Sequence, residues 1–291
     1  MYKPIDSYSQ SNFELINKNK SVYLKKFFNN FNKRDLLSLI KQDSFKDYKI
    51  DKICVTAPKI EKDQLKKIDI NKSIMMNYYN GVSGSQTLIQ SDNETCKILS
   101  IFLSDYINKS LKKAEWHYID SNILIKKVKN TLGKIKINKL TILGNKILNI
   151  LKKRLDKSML WSGNYCHGDL TLGNIILNKK EKEIVLIDFL KTYNDGIIQD
   201  LSKLTQEFYL GWSARHLKEV NKLRANIIYE TIWNKVNIFK IDKEINNIIF
   251  NETLVTLLRI FPYVNKNDTI TIKWAQNSFY NMINQKFVFF K

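Results

Sequence analysis

The chain has 291 residues, 44% of them hydrophobic, which is ample for a buried core in one large domain or in two ordinary ones. The three cysteines, Cys54, Cys96 and Cys166, are too few and too scattered for a disulfide framework, and none has the spacing of a zinc ligand. A disulfide-stabilised secreted scaffold is therefore excluded. No apolar signal segment follows Met1 and no run of about 18 apolar residues occurs, so we expect a cytoplasmic protein without a transmembrane segment.

The net charge of +20 is spread along the chain and is not concentrated in a tail. Dispersed lysines usually form solvated surfaces, so we expect no dedicated nucleic-acid site. A strongly basic protein is also poorly matched to polycationic substrates and better matched to neutral or anionic ones. The sequence gives no indication of the oligomeric state.

Alternating β-formers and turn residues at the start of the chain predict a meander of short strands at residues 2–5, 12–16 and 21–28. The segment Asp6 to Ser11 is rich in serine and contains no glycine. Its N–H and hydroxyl groups can donate to a phosphate, although a backbone without glycine approaches a ligand less freely.

The next elements are a helix from Asn32 to Lys46, a strand from Ile53 to Ile60, and a strand from Ile74 that ends at Gly81. Residues 81–84 contain two glycines and are the most plausible linker between domains. We therefore predict an N-terminal β domain at residues 1–80 and a C-terminal domain at residues 81–291.

The C-terminal domain is predicted to be mostly helical. Ser91 to Glu94 matches a capping box before an apolar-periodic helix, residues 140–155 form a second helix, and the chain after Lys222 contains helices with a break at Pro262. The predicted fold class is α+β.

One segment of the predicted C-terminal domain contains candidate catalytic and metal-binding residues. His167, Gly168 and Asp169 are followed by Asn174, and a predicted hairpin (175–177 and 184–187) then ends at Asp188. Phosphoryl transfer requires an aligned hydroxyl and neutralised phosphate charge. Asp169 would orient the hydroxyl and accept its proton, and Asn174 and Asp188 would supply the oxygen ligands that Mg²⁺ prefers. The alternative is a buried histidine with ordinary carboxylates at strand ends.

The sequence HGDLTLGN followed by IDF resembles the aminoglycoside phosphotransferase and choline kinase superfamily of small-molecule kinases. The resemblance implies a bilobed protein-kinase-like fold with a small N-terminal antiparallel β lobe and a larger, mostly helical C-terminal lobe. It also implies Mg²⁺ as cofactor and ATP or GTP as co-substrate. His167 would have a structural role in the loop.

In such kinases a strand lysine reaches the nucleotide phosphates, and Val22 to Lys25 resembles that strand. Lys25 is our choice for this lysine, with Lys26 on the opposite strand face as the alternative. The lysine usually has an acidic partner on the following helix, for which Asp35 and Asp43 are weak candidates.

The strand that ends at Gly81 resembles the segment that binds the purine in these kinases. Met76 would form an apolar wall, and Asn77, Tyr78 and Tyr79 would offer backbone groups to the purine edge.

Farther along the chain, Gly196 and Asp200 match the G-x-x-x-D-L segment of the superfamily, whose aspartate holds the catalytic loop by hydrogen bonds. The alternative for Asp200 is a helix N-cap. Tyr209, Trp212 and His216 either line an acceptor pocket or belong to the core.

We therefore expect a kinase that phosphorylates a small hydroxyl compound. The HGDLT…IDFL pattern resembles phosphotransferases encoded with bacterial surface-polysaccharide enzymes, which implies a sugar or polyol as the favoured acceptor. A choline, ethanolamine or aminoglycoside kinase is the alternative within the same class. A protein kinase is disfavoured by HGD in place of HRD and by the short gap between Asp188 and Asp200. A non-catalytic binding module of the same fold is the alternative from another class.

Overall fold

The computed structural model describes residues 12–18, 21–60, 63–65, 73–90, 92–163, 166–237 and 242–284. The chain divides into two compact units, one of Met1–Gly84 with Asn174–Lys191, the other of Ser85–Gly173 with Thr192–Lys291. The predicted strand at residues 2–5 and the serine-rich segment from Asp6 to Ser11 lie outside the described residues.

The described ranges contain both strands and helices. The strands are β1 (Asn12–Lys18), β2 (Ser21–Phe27), β3 (Tyr48–Ile50), β4 (Ile53–Thr56), β5 (Ser73–Asn77), β6 (Val82–Ser83), β7 (Glu115–Asp120), β8 (Ser158–Gly163), β9 (Ile175–Asn178) and β10 (Glu183–Leu186). The α-helices are α1 (Lys33–Asp43), α2 (Gly84–Gln90), α3 (Asn93–Lys113), α4 (Asn122–Leu132), α5 (Asn138–Arg154), α6 (Ile197–Phe208), α7 (Glu219–Trp233), α8 (Lys243–Leu258) and α9 (Thr269–Asn284).

The described residues of the first unit form two sheets. One has the order β1-β2-β5 and is antiparallel, as the sequence predicts. The other has the order β3-β4-β10-β9-β6 and includes one parallel pair, β4 with β10. Because the β9–β10 hairpin pairs with β4 and β6, residues 174–191 belong to the first unit. This corrects the predicted division into residues 1–80 and 81–291.

Helix α1 begins where the sequence places a strong capping signal. The side chain of Asn32 accepts hydrogen bonds from the N–H groups of Arg34 and Asp35, and Asp35 accepts one from the N–H of Asn32. The helix then buries Leu39 against Ile74 and Met76, which form the core of the unit with Ile60. The structure thus contains the helix predicted from Asn32 to Lys46, and places its end at Asp43.

Where the structure describes it, the second unit is mostly helical, with one antiparallel strand pair, β7–β8. Helix α8 is buried almost all round, from Ile248 to Leu258, and packs on α6. Polar side chains on these helices pair with one another: Gln199 donates to Glu252 at 2.7 Å, and the hydroxyls of Ser202 and Thr256 lie 3.1 Å apart. Pairing removes the penalty of burying these groups. None of the helices in the described ranges combines the length and apolar character that a membrane span requires.

Gly196 precedes α6 at a point of very close backbone approach. A Cβ atom built at this position would lie 1.8 Å from the carbonyl oxygen of Ser162, which belongs to strand β8. Its backbone φ of 172° is extended, so the requirement for glycine here is steric. Any side chain would therefore have to push helix α6 away from β8.

We predict that Gly196→Ala destabilises the protein by roughly 2–3 kcal/mol or more, because a backbone carbonyl cannot move aside as a flexible side chain can. Gly133→Ala is the matched control, since the nearest atoms to its Cβ lie at 3.9 Å and its φ is −62°. The control should be neutral or stabilise by about 0.4–1 kcal/mol. Urea unfolding of both variants is the measurement, and equal midpoints would contradict the prediction.

Candidate functional site

A buried carboxylate, that of Asp200, holds the start of the predicted catalytic loop. Asp200 is fully buried and accepts hydrogen bonds from the N–H groups of His167 and Gly168, each at 2.7 Å. The hydroxyl of Tyr106 donates to the same carboxylate at 2.7 Å. Asp200 therefore contacts the loop as the resemblance implies. It is not the N-cap of α6, because the helix begins at Ile197 and its N-cap residue is Gly196.

The loop has a backbone conformation that suits these bonds. Gly168 has a φ of 88°, in the left-handed region that favours glycine. His167 is fully buried, and its Nδ1 accepts a hydrogen bond from the N–H of Asp169 at 3.2 Å. His167 thus contributes to the shape of the loop from inside, and Asp169 directs a side chain that is 33% exposed outwards.

Asp169 has a cationic partner that the sequence analysis missed. Nζ of Lys203 lies 2.8 Å from its carboxylate, and the lysine side chain is only 12% exposed. Burial raises the pKa of Asp169, but Lys203, together with Arg259 and His167, outweighs burial and holds this pKa below the ordinary value. Asp169 is therefore ionised at neutral pH. The signal in the sequence was a lysine three residues after Asp200, which lies on the same helix face.

The two predicted metal ligands, Asn174 and Asp188, flank the β9–β10 hairpin. The N–H of Ile187 donates to the carbonyl of Asn174 at 3.0 Å, and the next ladder pair is Ile175 with Leu186. Asn174 and Asp188 therefore stand at the same end of the hairpin. Asp188 has a φ of 56°, which is uncommon for a residue other than glycine and is typical of functional positions.

Lys26, and not Lys25, contacts Asp188. Its Nζ lies 2.9 Å from Oδ1 of Asp188, and the side chain is 15% exposed. Lys25 points to the other face of β2, where its Nζ lies 4.9 Å from the ring centre of Phe27. The register of β2 with β5 decides this, because Lys26 pairs with the buried Ile74 and Lys25 pairs with Met75. The structure therefore favours the alternative lysine over our first choice.

Side chains of helix α1 form hydrogen bonds with the backbone of the residues that follow Asp188. Nε of Arg34 donates to the carbonyl of Lys191 at 2.9 Å, Ser38 Oγ accepts from the N–H of Lys191 at 2.8 Å, and Nζ of Lys41 donates to the carbonyl of Leu190 at 3.0 Å. These residues share one face of α1. The backbone that carries Asp188 is thus fixed on the side of α1.

The two acidic candidates on α1 serve other bonds. Asp35 closes the capping box with Asn32, and Oδ1 of Asp43 accepts from the N–H of Ile60 at 3.0 Å. Both carboxylates therefore have structural roles at the ends of the helix. The charge of Lys26 is balanced by Asp188 in their place.

A groove of about 360 Å³ lies beside the predicted purine-binding segment. Its lining residues are Ser21, Val22, Tyr23, Asn77, Tyr78 and Tyr79. The N–H of Tyr78 donates to Val22 at 3.2 Å and that of Asn77 to Lys59 at 3.4 Å, so both are already used. A ligand in this groove would therefore have to use other backbone groups of the segment.

Met76 does not line the groove. It is 6% exposed, lies in the core cluster with Ile60 and Ile74, and receives the side-chain amide of Gln42 at 3.8 Å from its sulfur. The prediction of an apolar wall at Met76 is therefore corrected: side chains alternate along β5, and this one faces the core.

The aromatic residues after α6 mostly pack against one another. Trp212 lies 5.1 Å from Trp274 and 3.5 Å from the guanidinium carbon of Arg215. His216 lies 3.3 Å from the hydroxyl of Thr271 and 3.9 Å from Asp268. These contacts favour the core interpretation over an acceptor pocket. Tyr209, at the C-cap of α6, is 38% exposed.

The described residues contain no cluster of three or more His, Cys, Asp or Glu side chains suited to a metal ion. A magnesium site next to phosphates uses only one or two protein carboxylates, with the phosphates as further ligands. The partly exposed Asp188 carboxylate and the adjacent Asn174 fit that donor set.

We predict that Asp200→Ala lowers the free energy of unfolding by about 3 kcal/mol or more, because the buried N–H of Gly168 and the hydroxyl of Tyr106 would lose this acceptor and the N–H of His167 would keep only its bond to Tyr106. Asp200→Asn should cost less, since one oxygen still accepts. Guanidinium chloride unfolding measures both. Glu219→Gln, in an exposed pair with Lys222, is the control and should leave the midpoint unchanged. Equal midpoints for Asp200→Ala and the control would rule out the role of Asp200.

No protein-family model and no curated protein matches the sequence. Solved structures match. Aminoglycoside phosphotransferase APH(4)-Ia is 8% identical, with 98% of this chain and 93% of that chain covered and a TM-score of 0.58. Spectinomycin phosphotransferase APH(9)-Ia, solved with ADP and spectinomycin, is 10% identical, with 99% and 89% covered and a TM-score of 0.48. The ethanolamine kinase Pv091845 of Plasmodium vivax is 14% identical, with 96% and 83% covered and a TM-score of 0.42.

The first of these likenesses extends over nearly the whole of both chains. It confirms the predicted α+β, bilobed fold class, with the larger unit mostly helical. The chain therefore has the protein-kinase-like fold of aminoglycoside phosphotransferase APH(4)-Ia.

Proposed function

We propose that the protein is a small-molecule kinase that transfers the γ-phosphoryl group of ATP, or of GTP, to a hydroxyl group of a small acceptor. The observation that carries the proposal is the loop from His167 to Asp169, anchored by Asp200 and presenting an ionised, partly exposed carboxylate. The kinase-like fold supports it independently.

Asp169 is the proposed base. Its carboxylate accepts a hydrogen bond from the acceptor hydroxyl, orients that oxygen toward the γ-phosphorus, and takes the proton as the new O–P bond forms and the bond to the β–γ bridging oxygen breaks. Nucleoside diphosphate is the leaving group. Because the transition state of such transfers is loose, orientation contributes more than basicity, and a lowered pKa is compatible with the role.

The first unit supplies the proposed nucleotide contacts. Asn174 and Asp188 would hold Mg²⁺, which neutralises charge on the phosphates when bound. Lys26 would bind a phosphate oxygen in exchange for part of its contact with Asp188. The groove beside Asn77 and Tyr79 would take the purine. The supply of nucleotide fits the cytoplasmic location expected from the sequence.

The charges around Asp169 favour a neutral or anionic acceptor. Lys203 and Arg259 are the cations that act on its carboxylate, and the net charge of the chain is +20. Polycationic aminoglycosides would be repelled from such surroundings. We therefore propose a sugar or polyol as the acceptor, of surface-polysaccharide metabolism as the sequence resemblance implies, with choline, ethanolamine and aminoglycosides as the alternatives.

The function is tested by nucleotide consumption with sugars, polyols, amino alcohols, nucleosides and aminoglycosides as acceptors. With the acceptor that is consumed, Asp169→Asn should lower kcat by about 10²-fold or more, because the amide cannot take the proton. Nucleotide affinity, measured by calorimetry, should persist. Equal turnover in the variant would reject Asp169 as the base, and no turnover with any acceptor would favour a non-catalytic binding module.

Lys26→Met and Lys25→Met form a matched pair, since each removes one charge from neighbouring positions of β2. We expect Lys26→Met to lower kcat/KM for the nucleotide by about 10²-fold, because a positioned cation is lost. Lys25→Met should change it less than about threefold, as befits a partly exposed surface charge. Initial rates at varied nucleotide concentration give both values. A larger effect at Lys25 would restore our original assignment.

A further inference from the structure

Three polar side chains on one face of helix α6 contact successive points of the catalytic loop. Asp200, Lys203 and Glu207 are spaced by three and four residues, so they line one face of the helix. Asp200 binds the N–H groups of His167 and Gly168, Lys203 binds the carboxylate of Asp169, and Glu207 binds the N–H of Leu172.

The middle contact, between Lys203 and Asp169, is short and partly buried. Nζ of Lys203 lies 2.8 Å from Oδ1 of Asp169, with the lysine 12% exposed and the aspartate 33% exposed. Water and salt screen such a pair less than a fully exposed one, and the ammonium removes freedom of rotation from the carboxylate. The bond is made by Oδ1 of the carboxylate.

The contact at the far end of the loop is part of a buried network. Glu207 is fully buried and accepts from the N–H of Leu172 at 3.2 Å, the N–H and hydroxyl of Ser213 at 3.0 Å, and the hydroxyl of Tyr229 at 2.7 Å. Burial and the nearby Glu207 charge raise the pKa of Tyr229 well above its ordinary value, so the phenol stays a donor. Glu207 thus anchors the loop after Asp169 as Asp200 anchors it before.

We propose that Lys203 is a positioning residue for Asp169 and that α6 holds the catalytic loop at three points, with Glu207 as the third. This inference rests on the proposed function, because it assigns Lys203 a role in presenting the base. Asp200 and Glu207 fix the backbone on both sides of Asp169, and Lys203 fixes the side chain itself. A displacement of about 1 Å at a reacting group can cost about 10²-fold in rate, which is the scale of effect expected.

The proposal predicts the direction in which the pH–rate profile shifts when Lys203 is neutralised. The groups that act on the carboxylate of Asp169 are Lys203 on α6, Arg259 at the end of α8 and His167 in the loop. Removal of the lysine charge leaves burial, which raises the pKa of Asp169, opposed by fewer cations. The base is active only when ionised. The acidic limb of the pH–rate profile therefore moves to higher pH when Lys203 is neutralised.

The test compares wild type, Lys203→Met and Lys203→Arg. We expect Lys203→Met to lower kcat by about 10–100-fold at neutral pH and to lose turnover at a higher pH than wild type as the solution is acidified. Lys203→Arg keeps the charge and should return the acidic limb toward that of wild type. Lys139→Met, on the separate helix α5, is the control and should leave the profile unchanged. Coincident profiles for wild type and Lys203→Met would overturn the proposal.

Two measurements that need no acceptor keep the test independent of the proposed function. The titration midpoint of the Asp169 carboxyl carbon, assigned in NMR spectra by its loss in Asp169→Asn, should rise in Lys203→Met. Amide hydrogen exchange at Leu172 should accelerate in Glu207→Gln, while the midpoint of global unfolding reports folding. If the wild type phosphorylates no acceptor but the Asp169 titration midpoint rises and the Leu172 exchange accelerates as expected, the proposed function fails and the three-point attachment of the loop is supported. If neither shift occurs, the hold is refuted even in an active enzyme.

Discussion

The hydrogen bonds from the N–H groups of His167 and Gly168 to the buried Asp200 carboxylate are the constraint on which the catalytic loop depends. Two N–H groups pointing the same way require the turn that Gly168 makes at a φ of 88°. The carboxylate reaches them only because α6 begins close against β8, which the bare backbone of Gly196 permits at Ser162. A steric requirement at the start of α6 thereby sets the position of the proposed base.

The first unit uses a similar principle with different elements. The β9–β10 hairpin brings the backbones of Asn174 and Ile187 into contact, and side chains of α1 hold the chain at Leu190 and Lys191. Asp188 lies between these two points in a left-handed conformation. Such a conformation costs free energy of order 1 kcal/mol or more and persists only where its surroundings fix it. Contacts on both sides of the residue provide that constraint.

The sequence predicted the elements that depend on local residue patterns. It missed the contacts that depend on strand register or on residues distant in the chain. The helix at Asn32 follows from its apolar periodicity, and the strands predicted at 12–16 and 21–28 and the loop with its hairpin follow from turn signals and β-forming residues. Lys25 was preferred to Lys26, and Met76 was assigned to a ligand wall, because the faces of β2 and β5 depend on their register, which the sequence alone does not give. Lys203 was missed because its partner lies 34 residues away in the chain.

Burial separates the lysines with a defined place from those that merely add charge. A net charge of +20 does not by itself identify which lysines have a specific role, since exposed lysines have similar long-range electrostatic effects. Lys26, Lys41 and Lys203, however, are 15%, 9% and 12% exposed, and each makes a short contact with Asp188, Leu190 or Asp169. Removing an ammonium from water is unfavourable unless a partner replaces the lost hydration. A partly buried lysine therefore marks a position where the fold has fixed a charge, and two of these three fix the carboxylates to which we assign the chemistry.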